Sequence, residues 1–179
     1  PSVLEWAERD VHIRQEAVGG HPERTRITVK GSGVHTIKIR LPKWTVNAAG
    51  AEENGVRVRG YEIEENGRKL AVEPDEDGYL VFTRDFSEEI TFELTFTFSF
   101  RILRAADIPE RAAIAYGPFV MAALSEEKGF LKLPFTETDI EEKMAPAEER
   151  LTFICEGTRW IPLCMVDEES YHVYGICSE

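Results

Sequence analysis

Closely spaced carboxylates are the residues of this chain with the clearest chemical potential. Hydrolysis of a glycosidic bond needs two carboxyl groups that face each other across a cleft, one protonated and one ionised. The close acid pairs are Glu62 and Glu64, Asp75 and Asp77, Glu88 and Glu89, and Glu168 and Glu169. All of them fall in predicted turns or on the outward positions of alternating strands, where a carboxylate is normally solvated. We therefore predict that the chain has no catalytic residue of its own.

Histidines and cysteines, which bind zinc and take part in thiol catalysis, are scattered rather than clustered. They are His12, His21, His35, His172, Cys155, Cys164 and Cys177. None follows a paired zinc-ligand spacing, and no recognisable motif places a histidine beside a cysteine nucleophile. The stretch from Asp75 to Gly78 lacks the ligand run and distal glutamate of a calcium loop, so it predicts a turn. We predict no metal and no cofactor.

The number and placement of the cysteines also bear on the compartment. Three cysteines, all in the last quarter of the chain, do not form an even disulfide framework. This predicts reduced thiols and favours a cytoplasmic location. The sequence starts at Pro1 without a methionine, which suggests a chain that is processed or cut from a longer one. The compartment is therefore left open.

Aromatic residues next to strand ends provide the second chemical option, which is carbohydrate binding. Sugar-binding β-sandwiches stack sugar rings on exposed aromatic side chains, and the candidates here are Trp44, Tyr61 and Trp160. Trp44 is the most interesting of them because it directly follows a strand that Pro42 ends. The alternative for all three is packing in a core or an interface, where large aromatic rings are common.

The charge balance and the length limit the other function classes. Lys and Arg number 21 against 33 Asp and Glu, which gives a net charge of −12. No basic stripe is available for phosphate neutralisation, so we predict no nucleic-acid partner. No apolar run approaches the ~18 residues of a membrane span, so we predict no membrane partner. With 179 residues the chain has the size of one domain.

The strongest structural pattern lies between Ile90 and Ile102, where every even-numbered residue is apolar. Alternation with a period of two is typical of a strand with one buried face. We therefore predict one long strand from Ile90 to Arg104, with Phe96 and Phe98 in the core. A strand of this length needs paired neighbours and a facing layer.

Turn signals divide the rest of the chain into short strands. Asn66-Gly67 between alternating arms predicts a hairpin with a type I′ turn, since both turn positions need positive φ. We predict an all-β antiparallel sandwich or jelly roll with little or no helix, formed as a single domain over 1–179. Within it, 1–124 provides the main sheets, 125–150 is an acidic loop or insertion, and 151–179 provides closing strands.

Four stretches, taken in order, resemble one known family. They are residues 39–44 with a Leu-Pro-x-Trp ending, 78–84 with Gly-Tyr and a closing Arg, 113–120 with a central Gly-Pro, and 161–174 with Tyr-x-Val-Tyr at its end. The set is similar to the C-terminal β-sandwich region of the bacterial β-L-arabinofuranosidases, glycoside hydrolase family 127. Phe86, where an aromatic that is usually Trp is expected, and Ser87 to Glu89 depart from that pattern.

The resemblance implies a non-catalytic role. In that family an N-terminal (α/α)6 barrel carries the chemistry, with a cysteine nucleophile in a zinc-cysteine cluster, and no part of the barrel is in this chain. Cys155, Cys164 and Cys177 match none of those positions. The expected partner is the catalytic domain of the same polypeptide, which would make the parent a glycoside hydrolase, and an oligomer is compatible with this role. The alternative is a carbohydrate-binding module that holds polysaccharide on exposed aromatics.

Overall fold

The computed structural model describes residues 1–47, 52–53, 56–57 and 60–177, and the chain divides into two compact units. Unit 1 is Pro1–Thr97 and unit 2 is Phe98–Glu179. Each unit has its own cluster of buried apolar side chains. The predicted all-β antiparallel class is confirmed, and the single domain over residues 1–179 stays a prediction.

The described residues of unit 1 form ten strands and one short helix. The strands are β1 Ser2–Trp6, β2 Val11–Val18, β3 His21–Gly31, β4 Val34–Arg40, β5 Glu52–Glu53, β6 Val56–Arg57, β7 Tyr61–Glu65, β8 Arg68–Leu70, β9 Tyr79–Asp85 and β10 Ile90–Phe96. The helix α1 is Lys43–Asn47, and a 3₁₀ turn covers Ala7–Arg9. Six strands form an antiparallel sheet in the order β1-β2-β3-β10-β7-β8.

The remaining long strands of unit 1, β4 and β9, form a separate antiparallel ladder. The core of the unit contains residues from this ladder and from the middle of the six-stranded sheet, including Leu80 and Phe82 of β9 and Phe92 and Leu94 of β10. The rings of Phe82 and Phe92 lie 4.6 Å apart between centroids. Unit 1 is therefore a two-layer sandwich with layers of unequal width.

The turns of unit 1 follow the local chemistry that the sequence predicted. Asn66 and Gly67 have φ values of 49° and 77°, which are the two positive angles of a type I′ turn. The backbone N–H of Gly78 donates to the carbonyl oxygen of Asp75 at 2.9 Å, which closes the second predicted turn. Both predictions are confirmed.

In unit 2, the residues up to 177 form nine strands around a second core. The strands are β11 Phe100–Arg104, β12 Arg111–Tyr116, β13 Phe119–Leu124, β14 Leu131–Leu133, β15 Ala145–Pro146, β16 Phe153–Cys155, β17 Thr158–Pro162, β18 Tyr171–His172 and β19 Tyr174–Cys177. The helix α2 is Ile140–Lys143, and a 3₁₀ turn covers Leu163–Met165. The sheet order is β14-β19-β12-β13-β17-β16-β15, with β11 on β12 and β18 on β13. The pair β14 and β19 is parallel.

The single long strand predicted between Ile90 and Arg104 is wrong. Strand β10 ends at Phe96 and β11 begins at Phe100, and the two strands belong to different sheets. Leu94 is buried in one core and Phe100 in the other. Even-numbered residues point inward on both sides of the break, so the alternation continues through it and does not mark it. Phe96 and the intervening Phe98 are only half-buried.

The acidic segment 125–150, predicted as a loop or insertion, contains the short elements β14, α2 and β15, and its being an insertion stays a prediction. Leu133, Phe135, Ile140 and Met144 are all buried in the core of unit 2. The many acidic residues between them are mainly exposed, so their charge dominates the composition of the segment. Widely spaced apolar residues among acids therefore gave no visible strand pattern, although they anchor this segment to the core.

No helix among the described residues is long and apolar enough to cross a bilayer.

Candidate functional site: the open inner face of unit 1

The edge strand β1 exposes an unusual amount of apolar side chain. Val3, Leu4 and Trp6 are 65%, 55% and 49% exposed, and every residue of this strand is classed as exposed. The register pairs Leu4 with Ile13 and Trp6 with Val11, and Val11 belongs to the core. Directly paired residues share a face of the sheet, so Leu4 and Trp6 lie on the inner face. An exposed apolar edge strand is a site where other chains pair or pack.

This inner face is open because the second layer is narrow. In the part of unit 1 that the structure describes, six strands form one layer and the ladder of β4 and β9 provides two in the other. The inward residues of β3, β7 and β10 are buried in the core cluster, which includes Val29, Ile63 and Leu94. The inward residues of β1 are left without a covering strand among the described residues. The uncovered part is the candidate functional surface, and we refer to Leu4, Trp6 and Ile13 as the β1 shelf.

A groove of about 510 Å³ lies beside the shelf, on the same side of the sheet. Its floor includes Gln15, Ile27 and Leu94, and its wall is formed by Ile39 and Arg40 of β4. Gln15 Nε2 donates to Thr25 Oγ1 at 3.3 Å inside it. The groove is therefore lined by both apolar and polar groups, and its volume is in the range of ligand or peptide sites.

The outer face of the same sheet is covered by charge pairs instead. Glu93 of β10 lies between two arginines of β3: it accepts a hydrogen bond from Arg24, and another from Arg26 Nη2 at 3.1 Å. Burial opposes ionisation of this carboxyl, but the two guanidinium donors outweigh it and lower the pKa of Glu93. On the inner face, Arg84 donates to both carboxylate oxygens of Glu65, which pairs directly with the buried Phe92. The carboxylates of Glu93 and Glu65 are thus each held by arginine, so neither is available as a catalytic group.

Trp44, the first predicted carbohydrate contact, lies in α1 and is half-buried. Its ring contacts the ring of Phe96 edge to face, with centroids 5.5 Å apart. Phe96 lines the groove, so Trp44 lies next to it. Binding of carbohydrate at Trp44 stays a prediction.

Tyr61 and Trp160, the other two predicted contacts, are core residues. Tyr61 is 6% exposed and donates its hydroxyl to the carbonyl oxygen of Val72 at 2.8 Å. Trp160 is 3% exposed, and its ring contacts Phe135 in unit 2. A ring at this depth has no free face for a sugar to stack on, and the two residues lie in different units. Tyr61 and Trp160 are therefore packing residues of the two separate cores.

The acid pairs singled out in the sequence are placed on the surface. Glu62 accepts a hydrogen bond from Lys69 at 2.9 Å. Asp75 accepts backbone hydrogen bonds in its turn, first from Tyr79, and these lower its pKa. No pair faces a partner carboxylate across a cleft in the contacts of the described residues.

Two of the three cysteines are packed as apolar side chains. Cys155 and Cys177 belong to the core cluster of unit 2, whereas Cys164 is exposed. Burial raises the pKa of both buried thiols, so they are protonated at neutral pH. A protonated thiol is a poor nucleophile and a poor metal ligand.

Comparison with known proteins places this geometry in a family. Residues 1–98 match the family model described as β-L-arabinofuranosidase, GH127 middle domain. Solved structures with the same fold include a GH127 β-L-arabinofuranosidase from Geobacillus stearothermophilus T6 (19% identity, TM-score 0.59), a glycoside hydrolase (14%, 0.60) and a GH127 β-arabinofuranosidase (18%, 0.58). Each match covers 99% of this chain and 32%, 34% and 33% of the respective solved chain. A search of curated proteins found no match.

The β-rich fold is thus one that occurs within glycoside hydrolases. More specifically, the chain belongs to the GH127 β-L-arabinofuranosidase family, and unit 1 corresponds to its middle domain. The family suggested by the sequence resemblance is confirmed, but the matched model is that of the middle domain, and the C-terminal position stays a prediction. The chain spans about a third of the length of the solved structures it matches.

The β1 shelf was missed by the sequence reasoning. Strand β1 has no strict alternation, because Val3 and Leu4 are adjacent apolar residues that point to opposite faces. The signal that was available is the apolar run itself: Val-Leu-Glu-Trp in a chain of net charge −12 is an unusual sequence for a solvent-exposed edge.

Proposed function

We propose that this chain is the non-catalytic β-sandwich region of a GH127 glycoside hydrolase and packs against an N-terminal catalytic (α/α)6 barrel of the same polypeptide. The observation that carries the proposal is the β1 shelf, together with Val3 on the opposite face of the same strand. Apolar side chains exposed on both faces of an edge strand are a predicted aggregation site unless another domain covers them. Burial against a second domain removes this area from water, at a gain of about 25 cal/mol per Å².

The chemistry of the described side chains favours a supporting role for this chain. The described residues provide antiparallel sheets, acid pairs on the surface and two buried thiols, Cys155 and Cys177, which suit structural support rather than bond cleavage. In the proposed polypeptide, the barrel supplies the nucleophile and the acid for β-L-arabinofuranoside hydrolysis. This chain alone then has no glycosidase activity.

A release assay on aryl β-L-arabinofuranosides tests whether the activity needs the upstream region. The polypeptide that joins this chain to its upstream region is expected to release aglycone, whereas residues 1–179 alone are expected to release none, with zinc and reductant supplied to both. The Cys155→Ala, Cys164→Ala and Cys177→Ala variants serve as controls on the isolated chain. Turnover by the isolated chain that is lost in any of these variants would overturn the non-catalytic role.

A matched pair of charge substitutions tests the packing surface. Leu4→Glu places a charge on the β1 shelf, and Val34→Glu places one on β4 at a valine that is 67% exposed. Both are expected to leave the melting temperature of the isolated chain nearly unchanged, since both side chains already face water. In the longer polypeptide only Leu4→Glu is expected to lower it, because only that position is covered. Equal effects of the two substitutions in the polypeptide would contradict packing through β1.

A further inference from the structure

The free edge of β4 points to a missing strand in the second layer of unit 1. Strand β4 pairs with β9 along one edge, and no strand among the described residues pairs with its other edge. Two backbone hydrogen bonds close the ends of this ladder. The N–H of Leu41 donates to the carbonyl oxygen of Gly78 at 3.0 Å, and the N–H of Phe86 donates to the carbonyl oxygen of Gly33 at 3.0 Å. Odd-numbered residues of β4 therefore form the hydrogen-bonded pairs with β9.

The alternation of an antiparallel ladder fixes what the other edge offers. If the odd-numbered residues bond to β9, the N–H and C=O groups of the even-numbered residues point away from it. These are the backbone groups of Thr36, Lys38 and Arg40. A free row of such groups is a template for one more strand.

The groove lies where that strand would run. Neighbouring strands lie about 4.8 Å apart and packed sheets about 10 Å apart. Ile39 and Arg40 of β4 form one wall of the groove, and Ile27 and Leu94 of the facing sheet lie on its floor. A strand added to β4 would fill the groove with every second side chain and extend the second layer towards the β1 shelf.

We propose that an extended segment of the same polypeptide, located before Pro1, adds to β4 as a third strand of this layer. The proposal rests on the proposed function, because it takes the segment from the longer polypeptide. Pro1 and Ser2 themselves line the groove, so a chain that leads into residue 1 arrives there. The matched solved chains are about three times as long as this one, which leaves ample chain for such a segment.

The chemistry of the segment follows from the groove. Main-chain hydrogen bonds to β4 provide affinity, and the side chains that point inward provide specificity. The inward positions face Ile27, Leu94 and the shelf residue Ile13, so we expect alternate apolar residues there. The outward positions continue the exposed face of β4, which carries Thr36 and Lys38, so we expect polar residues there.

Amide hydrogen exchange, measured on the isolated chain and on the longer polypeptide, tests this arrangement residue by residue. The even-numbered amides Thr36, Lys38 and Arg40 are expected to exchange fast in the isolated chain and at least about tenfold more slowly in the polypeptide. The odd-numbered amides Ile37 and Ile39 are an internal control, because their bonds to β9 protect them in both. Protection of the even-numbered amides in the isolated chain, or equal exchange in both proteins, would overturn the proposal.

A pair of proline variants provides an independent measurement. Lys38 and Val81 are direct partners in the ladder, and both direct their N–H groups away from it. Lys38→Pro removes a donor from the free edge of β4, whereas Val81→Pro removes one from the opposite edge, on β9. Proline is tolerated where a strand N–H faces solvent. In the polypeptide, Lys38→Pro is expected to lower the melting temperature by several degrees more than Val81→Pro. An equal loss would count against the added strand.

The same exchange data separate this proposal from the packing role. Slower exchange of β1 in the polypeptide without a change at the even-numbered β4 amides would overturn the added strand and leave domain packing supported. Unchanged exchange at both strands would overturn both. Protection at both strands is the outcome expected here.

Discussion

The central strands of the two units are buried in different ways. In unit 1, β10 buries Phe92 and Leu94 on its inner face, while Glu93 between them faces the outer charge pairs. In unit 2, β13 buries the consecutive residues Ala122 and Ala123, which point to opposite faces. A strand buried on one side has large apolar residues alternating with polar ones, whereas a strand covered on both sides shows no alternation.

Side-chain size follows the same difference. The core of unit 1 contains large residues that meet across a layer, such as Phe82 against Phe92. In unit 2, buried alanines lie on both faces of β12 and β13: Ala112, Ala113, Ala115, Ala122 and Ala123. Small residues allow other elements to approach the sheet closely on both sides. The comparison teaches that the lack of alternation in unit 2 reflects two-sided burial and not a loop or a helix.

Removal of a large ring from the one-sided strand is expected to have the largest effect. Phe92→Ala leaves a cavity at a fully buried position and should lower the free energy of unfolding by about 3–5 kcal/mol. Thr95→Ala on the outer face of the same strand is the control and should cost less than about 1 kcal/mol. Chemical denaturation measures both. Similar costs would show that β10 is buried on both sides, as β13 is.

Two hairpin glycines, one in each unit, provide the next comparison. Gly117 has a φ of 54°, and a Cβ there would lie 2.6 Å from the ring of Phe98. Gly67 has a φ of 77° with open space around it. Gly67→Ala should cost about 1–2 kcal/mol, from the backbone conformation alone. Gly117→Ala should cost about 3 kcal/mol, because overpacking against the ring is added.

A second substitution identifies the ring as the cause of that difference. Phe98→Leu in the Gly117→Ala background should recover part of the lost stability, since a smaller side chain leaves room for the new methyl group. Thermal unfolding of the single and double variants measures the coupling between the two positions. Strictly additive effects would rule out the proposed contact.

Larger side chains on β13 test directly whether this strand is buried on both faces. Ala122→Leu and Ala123→Leu should each cost about 1–3 kcal/mol, because both faces of β13 are closely packed. In the one-sided strand β10, the corresponding neighbours Leu94 and Thr95 should differ strongly when each is changed to aspartate. If Ala122→Leu left the free energy of unfolding unchanged while Ala123→Leu lowered it, β13 would be buried on one side only.

A pH effect confined to unit 2 is the smallest expected change. A hydrogen bond from Lys143, helped by the backbone N–H of Thr136, lowers the pKa of Asp139 to about 2. Since the folded pKa lies below the unfolded value, the contribution is fully present above about pH 4 and is lost as the pH falls towards 2. The protection factors of the α2 amides, which compare observed with intrinsic exchange rates at each pH, should therefore fall over this range. Asp139→Asn should abolish this part of the pH dependence, while the unit 1 hairpin should show none of it.

Local chemistry explains which parts of the fold were predictable. Asn66 and Gly67 determine their turn through backbone preferences that need no distant partner. The alternation around Phe92 and Leu94 identified a strand and its buried face correctly. The break at Thr97 was not predictable, because a period of two stays in phase when a chain passes from one sheet to another. The buried alanines at 112 and 123 do not by themselves distinguish a strand from a helix, since alanine favours helix when nothing covers it.

The candidate site was harder to predict from the sequence than the fold. Its defining property is that no described strand covers Leu4 and Trp6. Their exposure depends on which strands lie opposite them, not on the residues themselves. Tyr61 and Trp160 illustrate the reverse case: both are aromatic residues near strand ends, and long-range packing buried them. A family resemblance in the sequence provided the role, whereas the location of the surface needed the register of β1 and β2.

The charged residues on the outer face of unit 1 also favour the native register of its strands. In the native register of β2 and β3, Glu16 lies opposite Arg26 and Arg14 lies opposite Thr28. A slip of two residues would keep every apolar side chain on the inner face, so hydrophobic burial alone does not oppose it. Such a slip would set Arg14 opposite Arg26 in one direction and opposite Lys30 in the other, and like charges directly across a ladder are destabilising. Misaligned hairpins are therefore disfavoured while the sheet is still assembling, before any neighbouring domain is present.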